Sequence, residues 1–460
     1  MVSISNLSAY SQIQEPLLVF AGGNKSKNPL LGLKMYGPYG LDLNYLDTIR
    51  IASLTPLGCT SKVNALITEL SSHISPKYAK EYYPDYTGFE NIFRTKIILD
   101  KTLNFEFDAE MGALAKSLNI NSFKYKLKEY LLTVSRQKTT FDVLFIYLPN
   151  EWQMIFRTTD FNLHNFIKAS AAPLGIPIQI ITDKSNNNCR ANVMWGISIA
   201  TYSKAGGVPW KLDVSNNNEA FVGLSYAMNK HSEGISYITC CSQIFDSAGI
   251  GFEFIAYDVS DFKMDENNKN PYLSEQEIMN IMSKCLQIYQ NTHSGKVPKK
   301  ITVHKNIPFS EDEIRGCRKA FGKGIDLELI QIQNTDWQGI KIAAKKCPHN
   351  YPCDRGCFIP LKNNECLLWL QGNVNIDGKN IFKEGALTPI PHPVIVKKYL
   401  GSNSWYETCC SILGLTKVDW NNNTLYKSSP ITLQYSSLFA QVVRDVPEIM
   451  RQKYNYRFFM

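Results

Sequence analysis

Hydrophobic and polar positions change their rhythm midway along the chain. FDVLFIYLP (141–149) is an unbroken apolar run, the pattern of a strand covered on both faces. An amphipathic helix follows near 160–173, then the strand IPIQII (176–181), then a helix over about 189–204 that stops at Gly206-Gly207. Strand, helix, strand, helix predicts a parallel, doubly wound, Rossmann-like sheet. The polar stretch KLDVSNNNE (211–219) then marks a boundary. Beyond it AFVGLSYAM, GISYITCCSQIF and GFEFIAYDV follow in close succession, as an antiparallel meander would. A helix starts at Ser274 with Glu277 three residues on, the spacing of a capping box, and Ser310 with Glu313 repeats it. Between and after these lie the strands KITVHK and DLELIQIQ, the hairpin FIPLKNNECLLWL, and helices near 404–414 and 430–445. Three antiparallel strands, then helix, then strand, is the order of an RNase H-like core.

Composition narrows this little. The chain has 460 residues, 44% apolar and 20% charged, enough to bury a sizeable core in more than one domain. The net charge of +8 permits a nucleic-acid partner without demanding one. The start, MVSISNLSAYSQIQEP, lacks the basic and apolar regions of a secretory signal, and no apolar run approaches the roughly 18–20 residues of a membrane span. A soluble cytoplasmic protein is expected, with its 12 cysteines as free thiols. Cys347, His349, Cys353 and Cys357 stand close together in CPHNYPCDRGC, but the spacing is not that of a paired zinc knuckle, and the prolines and Gly356 suggest a loop.

Chemistry concentrates in a few places. His164 and Lys168 lie four apart and so project from one helix face; Gln179 follows in the next strand, and Lys204 ends the next helix. In a doubly wound sheet these elements can converge on one crevice, where two lysines, an imidazole and an amide would hold a terminal phosphate. His164-x-x-x-Lys168, Gln179 in GIPIQ and Lys204 in SKAGGVPW closely resemble the MID domain of Argonaute proteins. NPLLGLKMYGPYG (28–40) is similar to the segment leading into that domain, and FVGLSYAM and LTKVDWNNNTLY are similar to PIWI motifs. With no room for N-terminal and PAZ domains before residue 28, the chain resembles the short prokaryotic Argonautes. The division expected is 1–140 as lead-in and first part of the MID region, 141–215 as the MID core, and 216–460 as PIWI.

The resemblance implies that His164, Lys168, Gln179 and Lys204 bind the 5′-phosphate of a guide strand, with Arg444 on the last helix as a further phosphate contact. The end, YNYRFFM, is either a frayed tail or the means by which the Met460 carboxylate reaches that phosphate through Mg²⁺. Active PIWI domains hold two metal ions on carboxylates. Here those positions would fall at Ser225, Lys305 and Ser437, of which serine is a poor ligand and lysine a repulsive one. The expectation is a protein that binds a guide, most simply RNA, pairs it with a DNA target and does not cut. It would signal through a companion carrying an APAZ region and a TIR, Sir2 or nuclease effector, in defence against plasmids or phage. Two alternatives stand beside it: an active RNase H-like guided nuclease, and an α/β ligand-binding protein with no nucleic acid.

Overall fold

The structure, a computed structural model, describes residues 10–460 apart from 44, 78–79, 81, 184–188, 215–217, 232–233, 247, 266, 268, 336–352, 382–390 and 450–452. The chain forms two compact units that are not contiguous in sequence. One comprises Leu18–Lys211, Trp420–Thr424 and Gln441–Met460; the other comprises Met1–Leu17, Leu212–Asp419 and Leu425–Ala440.

The first unit is built on β1 (Thr48–Pro56), β2 (Lys96–Phe107), β3 (Val143–Leu148) and β4 (Ile178–Thr182). Their order is β2-β1-β3-β4 and every pairing is parallel. All six residues of β3 are buried, as expected of its unbroken apolar run. The pattern concealed β1 and β2. In β1 the hydroxyls of Ser53 and Thr55 are fully buried, and Ser53 Oγ donates to Asn104 Oδ1 at 2.7 Å, so polar residues interrupt an otherwise apolar strand. β2 is an edge strand with mixed burial and no clean alternation. The helices α1 (Thr60–Leu70), α2 (Ile120–Ser135), α3 (Leu163–Ala171) and α4 (Arg190–Lys204) complete the doubly wound arrangement.

In the second unit the meander is β5 (Glu219–His231), β6 (Gly234–Asp246) and β7 (Gly251–Val259). Next come α5 (Glu275–Thr292), β8 (Lys300–Lys305), α6 (Glu311–Phe321) and β9 (Asp326–Asn334). The hairpin β10 (Cys357–Lys362) and β11 (Glu365–Leu368), the strand β12 (Val394–Leu400), and the helices α7 (Trp405–Leu415) and α8 (Ile431–Asp445) follow. The sheet runs β10-β11-β12-β9-β8-β5-β6-β7, with β8 parallel to both β5 and β9. One face packs on α5 and α6 through residues such as Leu224, Ile281, Met282 and Val303. The other packs on α7 and α8 through Ile330, Val396, Ile412 and Leu433. The box at Ser310 and Glu313 closes in both directions. At Ser274 the side chain caps Glu277 N, while Ser274 N donates to Asp261 O at 3.2 Å.

Candidate functional site

Lys168 is 4% exposed and Lys204 3% exposed, so both amines sit inside the first unit rather than on its surface. Asn162 caps α3 by accepting from Asn165 N, and this fixes the turn that carries His164 and Lys168. Lys168 Nζ donates to Phe459 O at 2.9 Å. Lys204, the last residue of α4, donates to Gln179 Oε1 at 2.6 Å, and Gln179 Nε2 donates to Ile180 O at 3.1 Å. Among the described residues no carboxylate side chain forms an ion pair with either lysine. Burial pulls the Lys168 ammonium down to about 7. Burial, and then the charge of Lys168, holds Lys204 well below its ordinary value. His164 keeps an exposed position although its ring is crowded on the protein side. Desolvation, then the Lys168 charge, pulls its imidazole down, opposed by its hydrogen bond with Asn165.

The residues after α4 hold this arrangement in place. Gly206 has φ +101°, a conformation that favours glycine. A Cβ on Gly207 would lie 2.3 Å from the ring of Tyr202, which is stacked on Phe93. The loop is tied to the upstream segment by Tyr39 N donating to Pro209 O at 3.0 Å and Gly40 N to Val208 O at 2.7 Å. The two stretches GGVPW and YGPYG are thus one packed element.

The chain end is also built in. Phe459 and Met460 are 0% and 1% exposed, so the tail is not frayed. Asn455 Oδ1 accepts from Arg457 N at 3.2 Å and caps the turn Tyr456–Phe458. Arg457, missed in the sequence, lies against the loop after α4: its Nη1 is 3.5 Å from where a Cβ on Gly206 would sit. A single arginine in an aromatic tail carries no sequence signal of such a contact. Arg444 is exposed and lies 3.5 Å from Asp445 Oδ1; no contact among the described residues joins it to Lys168 or Lys204. Asp445 in turn accepts from Asn165 Nδ2 at 2.6 Å.

In the second unit, Ser225 and Ser437 do meet: Ser225 Oγ is 3.0 Å from Ser437 Oγ and 3.0 Å from Ser436 Oγ. Lys305 does not join them, and the sequence assignment is corrected here. β8 registers Lys305 with Leu224, so its side chain lies on the α5/α6 face, opposite that of Ser225. There it is fully buried and 2.6 Å from Glu313 Oε1, and its ammonium lies 5.1, 5.3 and 5.2 Å from the rings of Tyr226, Tyr272 and Phe309. Strand alternation assigns the Ser225 face to His304, and to Asn306 one step past the strand end. His304 Nδ1 indeed lies 2.8 Å from Thr432 Oγ1. Opposite Ser225 on β6 is Cys241, and opposite that on β7 is Ala256, so no acid stands in register beside it. Among the described residues no three His, Cys, Asp or Glu side chains cluster as a metal site would require. In the cysteine-rich loop Cys347 and His349 lie outside the described residues, and Cys357 Sγ donates to Gln12 Oε1 at 2.6 Å. No helix among the described residues is long and apolar enough to cross a membrane.

No family model matches the sequence, and no curated protein matches it. Solved structures do. Clostridium butyricum Argonaute bound to a guide DNA and a 19-mer target DNA is similar with a TM-score of 0.68 at 18% identity, over 99% of this chain and 55% of that one. Aquifex aeolicus Argonaute is similar with a TM-score of 0.61 at 17% identity, over 98% and 57%. Drosophila Piwi gives a TM-score of 0.61 at 13% identity, over 98% and 56%. The fold is therefore that of Argonaute proteins, a MID-like doubly wound unit with an RNase H-like PIWI unit. The chain spans about half the length of the solved structures it matches.

Proposed function

We propose that this chain binds the 5′-phosphorylated end of a short guide strand, pairs that guide with a complementary target, and does not cut. The observation that carries the reading is the pair of buried lysine amines, Lys168 and Lys204, with no carboxylate side chain against them among the described residues. Two desolvated cations are costly unless an anion joins them. A terminal phosphate monoester brings about two charges and three acceptor oxygens to such a place. Base pairing would supply the sequence information, while the protein holds backbone and end. The likeness to an Argonaute bound to guide and target supports the same reading, as does the resemblance of His164, Lys168, Gln179 and Lys204 to the guide-end motif. We take the guide to be RNA and the target DNA, with defence against plasmids or phage as the role.

Mg²⁺ is commonly held by one or two carboxylates together with substrate phosphates. The carboxylate that Met460 would carry as a chain terminus, with the guide phosphate, would make such a set, and the buried position of Met460 is compatible with it. Bound there, the ion would offset the repulsion between carboxylate and phosphate. Arg444 would serve only as an outer contact, given its exposure.

The test is the binding of 5′-phosphorylated and 5′-hydroxyl guides to Lys168→Ala and Lys204→Ala. Each charge-assisted contact is worth about 1.5–3 kcal/mol, hence roughly ten- to a hundred-fold in affinity. The loss should be confined largely to the phosphorylated guide. Equal losses for both guides would remove the assignment, and inorganic phosphate binding without guide binding would favour a small-molecule site.

A further inference from the structure

In the second unit β12 leaves the sheet early. At Gly401 the backbone has φ +132°, and a Cβ there would lie 2.6 Å from Glu328 Cγ. β12 ends at Leu400, and its pairing with β9 begins only at Leu329↔Leu400. The first residues of β9 keep β8 on their other side: Asp326 N donates to Lys299 O at 2.9 Å, and Asp326, Leu327 and Glu328 stand in parallel register with Lys300, Ile301 and Thr302. Backbone groups alternate along such a strand, so Leu327 turns its N–H and C=O to the side that β12 has left. A groove of about 760 Å³ opens there, between the end of α6 and Gly401-Ser402. Ile325, Leu327 and Leu400 make its floor aliphatic, and Arg318 and Lys323 stand exposed at its rim. Lys319 beside them is paired with Glu275, but among the described residues no carboxylate forms an ion pair with Arg318 or Lys323. Among the described residues of the lining Asp326 alone is acidic.

We propose that this groove docks an extended, acidic segment of a partner protein, which pairs with Leu327 as an added strand. The open donor and acceptor of Leu327 match one residue of an extended backbone. Side chains two apart on such a segment face the same way, so one apolar side chain lies on the floor while a carboxylate two residues on reaches Arg318 or Lys323. The two unpaired cations at the rim are complementary to that charge. Nucleic acid fits less well: no residue of the lining is aromatic, so a base has no ring to stack on, and the open backbone pair of Leu327 would go unused. The proposal goes beyond the guide-end reading and does not depend on it.

The experiment uses the full chain and a fluorescein-labelled peptide of about eight residues, with glutamate and valine taking turns at every second position and serine between them. Fluorescence anisotropy measures its binding. One control peptide carries lysine in place of glutamate. Another is N-methylated throughout, which keeps the charges and removes every backbone donor. The glutamate peptide should bind saturably, and both controls at least about tenfold more weakly. Reversing the rim with Arg318→Glu and Lys323→Glu together should weaken the glutamate peptide about tenfold and strengthen the lysine peptide. Ser402→Trp fills the groove from an exposed position and should weaken the glutamate peptide as well. Should the double reversal fail to fold, Ser402→Trp carries the comparison. No saturable binding of the glutamate peptide, equal binding of its N-methylated form, or indifference to both the double reversal and Ser402→Trp overturns the proposal. Displacement of the peptide by a 5′-phosphorylated guide RNA also overturns it, and gives the groove to nucleic acid.

Discussion

A lysine ammonium moved out of water without a partner costs several kcal/mol, and the side chain escapes that cost by losing its proton. Lys168 illustrates this: burial alone pulls it to about 7, against an ordinary 10.5. In the guide-free protein the unfolded chain thus binds more protons than the folded one between about 7 and 10.5, so this group makes stability rise with pH across that window. Phosphate binding acts in the opposite sense. The anion favours charged Lys168, so above pH 7 the site must take up a proton as the guide binds. Below about pH 6 the phosphate monoester loses its second charge. The preference for a 5′-phosphorylated over a 5′-hydroxyl guide should therefore peak between about pH 6 and 7 and fall by up to tenfold per unit above 7. Fluorescence-anisotropy titrations from pH 5.5 to 9 measure it, and a preference that stays flat to pH 9 would show that Lys168 is not the phosphate's partner.

Alternation along a strand decides which residues can share a site, and here it separates two that sequence alone placed together. On β5 the residues Val222 and Leu224 join the α5/α6 core, while Gly223 and Ser225 face α8. Gly223 admits the helix: a Cβ there would lie 2.0 Å from Thr432 O. Because the side-chain period is two, an error of one position moves a residue to the other face. Lys305, in register with Leu224 at the strand end, thus falls on the face away from Ser225 and belongs to a buried ion pair with Glu313. The elements themselves were legible wherever apolar runs were unbroken or caps were present, as in β3, α4 and α6. They were not legible where polar groups are buried in mutual hydrogen bonds, as at Ser53 and Asn104 in β1 and β2. The resemblance carried by His164, Lys168, Gln179 and Lys204 was legible as a pattern; the Phe459 carbonyl that receives Lys168 was not, because a contact made across hundreds of residues leaves no local trace. With Ser225 and Ser437 on the face where metal-binding acids would be needed, the purified chain should cleave neither strand of a guide–target duplex in Mg²⁺ or Mn²⁺. Gel analysis of end-labelled strands decides it. Specific target cleavage that is lost on Ser225→Ala would sink the idea.

At the scale of the molecule, the proposed task calls for basic surface along a whole heteroduplex. It spans about half the length of the Argonaute structures it resembles. Its net charge of +8 is modest cover for a heteroduplex of about twenty base pairs, whose backbone carries a charge on every phosphate. Binding without cutting also produces no signal by itself, so recognition has to be passed on. A companion protein would meet both needs, adding basic surface along the duplex and supplying an output. We propose that this companion carries an APAZ region joined to a TIR, Sir2 or nuclease effector. Co-expression with the product of the adjacent gene should yield one species on size exclusion, at the mass of a heterodimer. Its effector activity should stay low with guide alone and rise when a complementary target is added. That rise should disappear in Lys168→Ala, because a guide that is not held by its end cannot report its target. Separate elution of the two proteins, or effector activity indifferent to the target, would show that the chain works without such a companion.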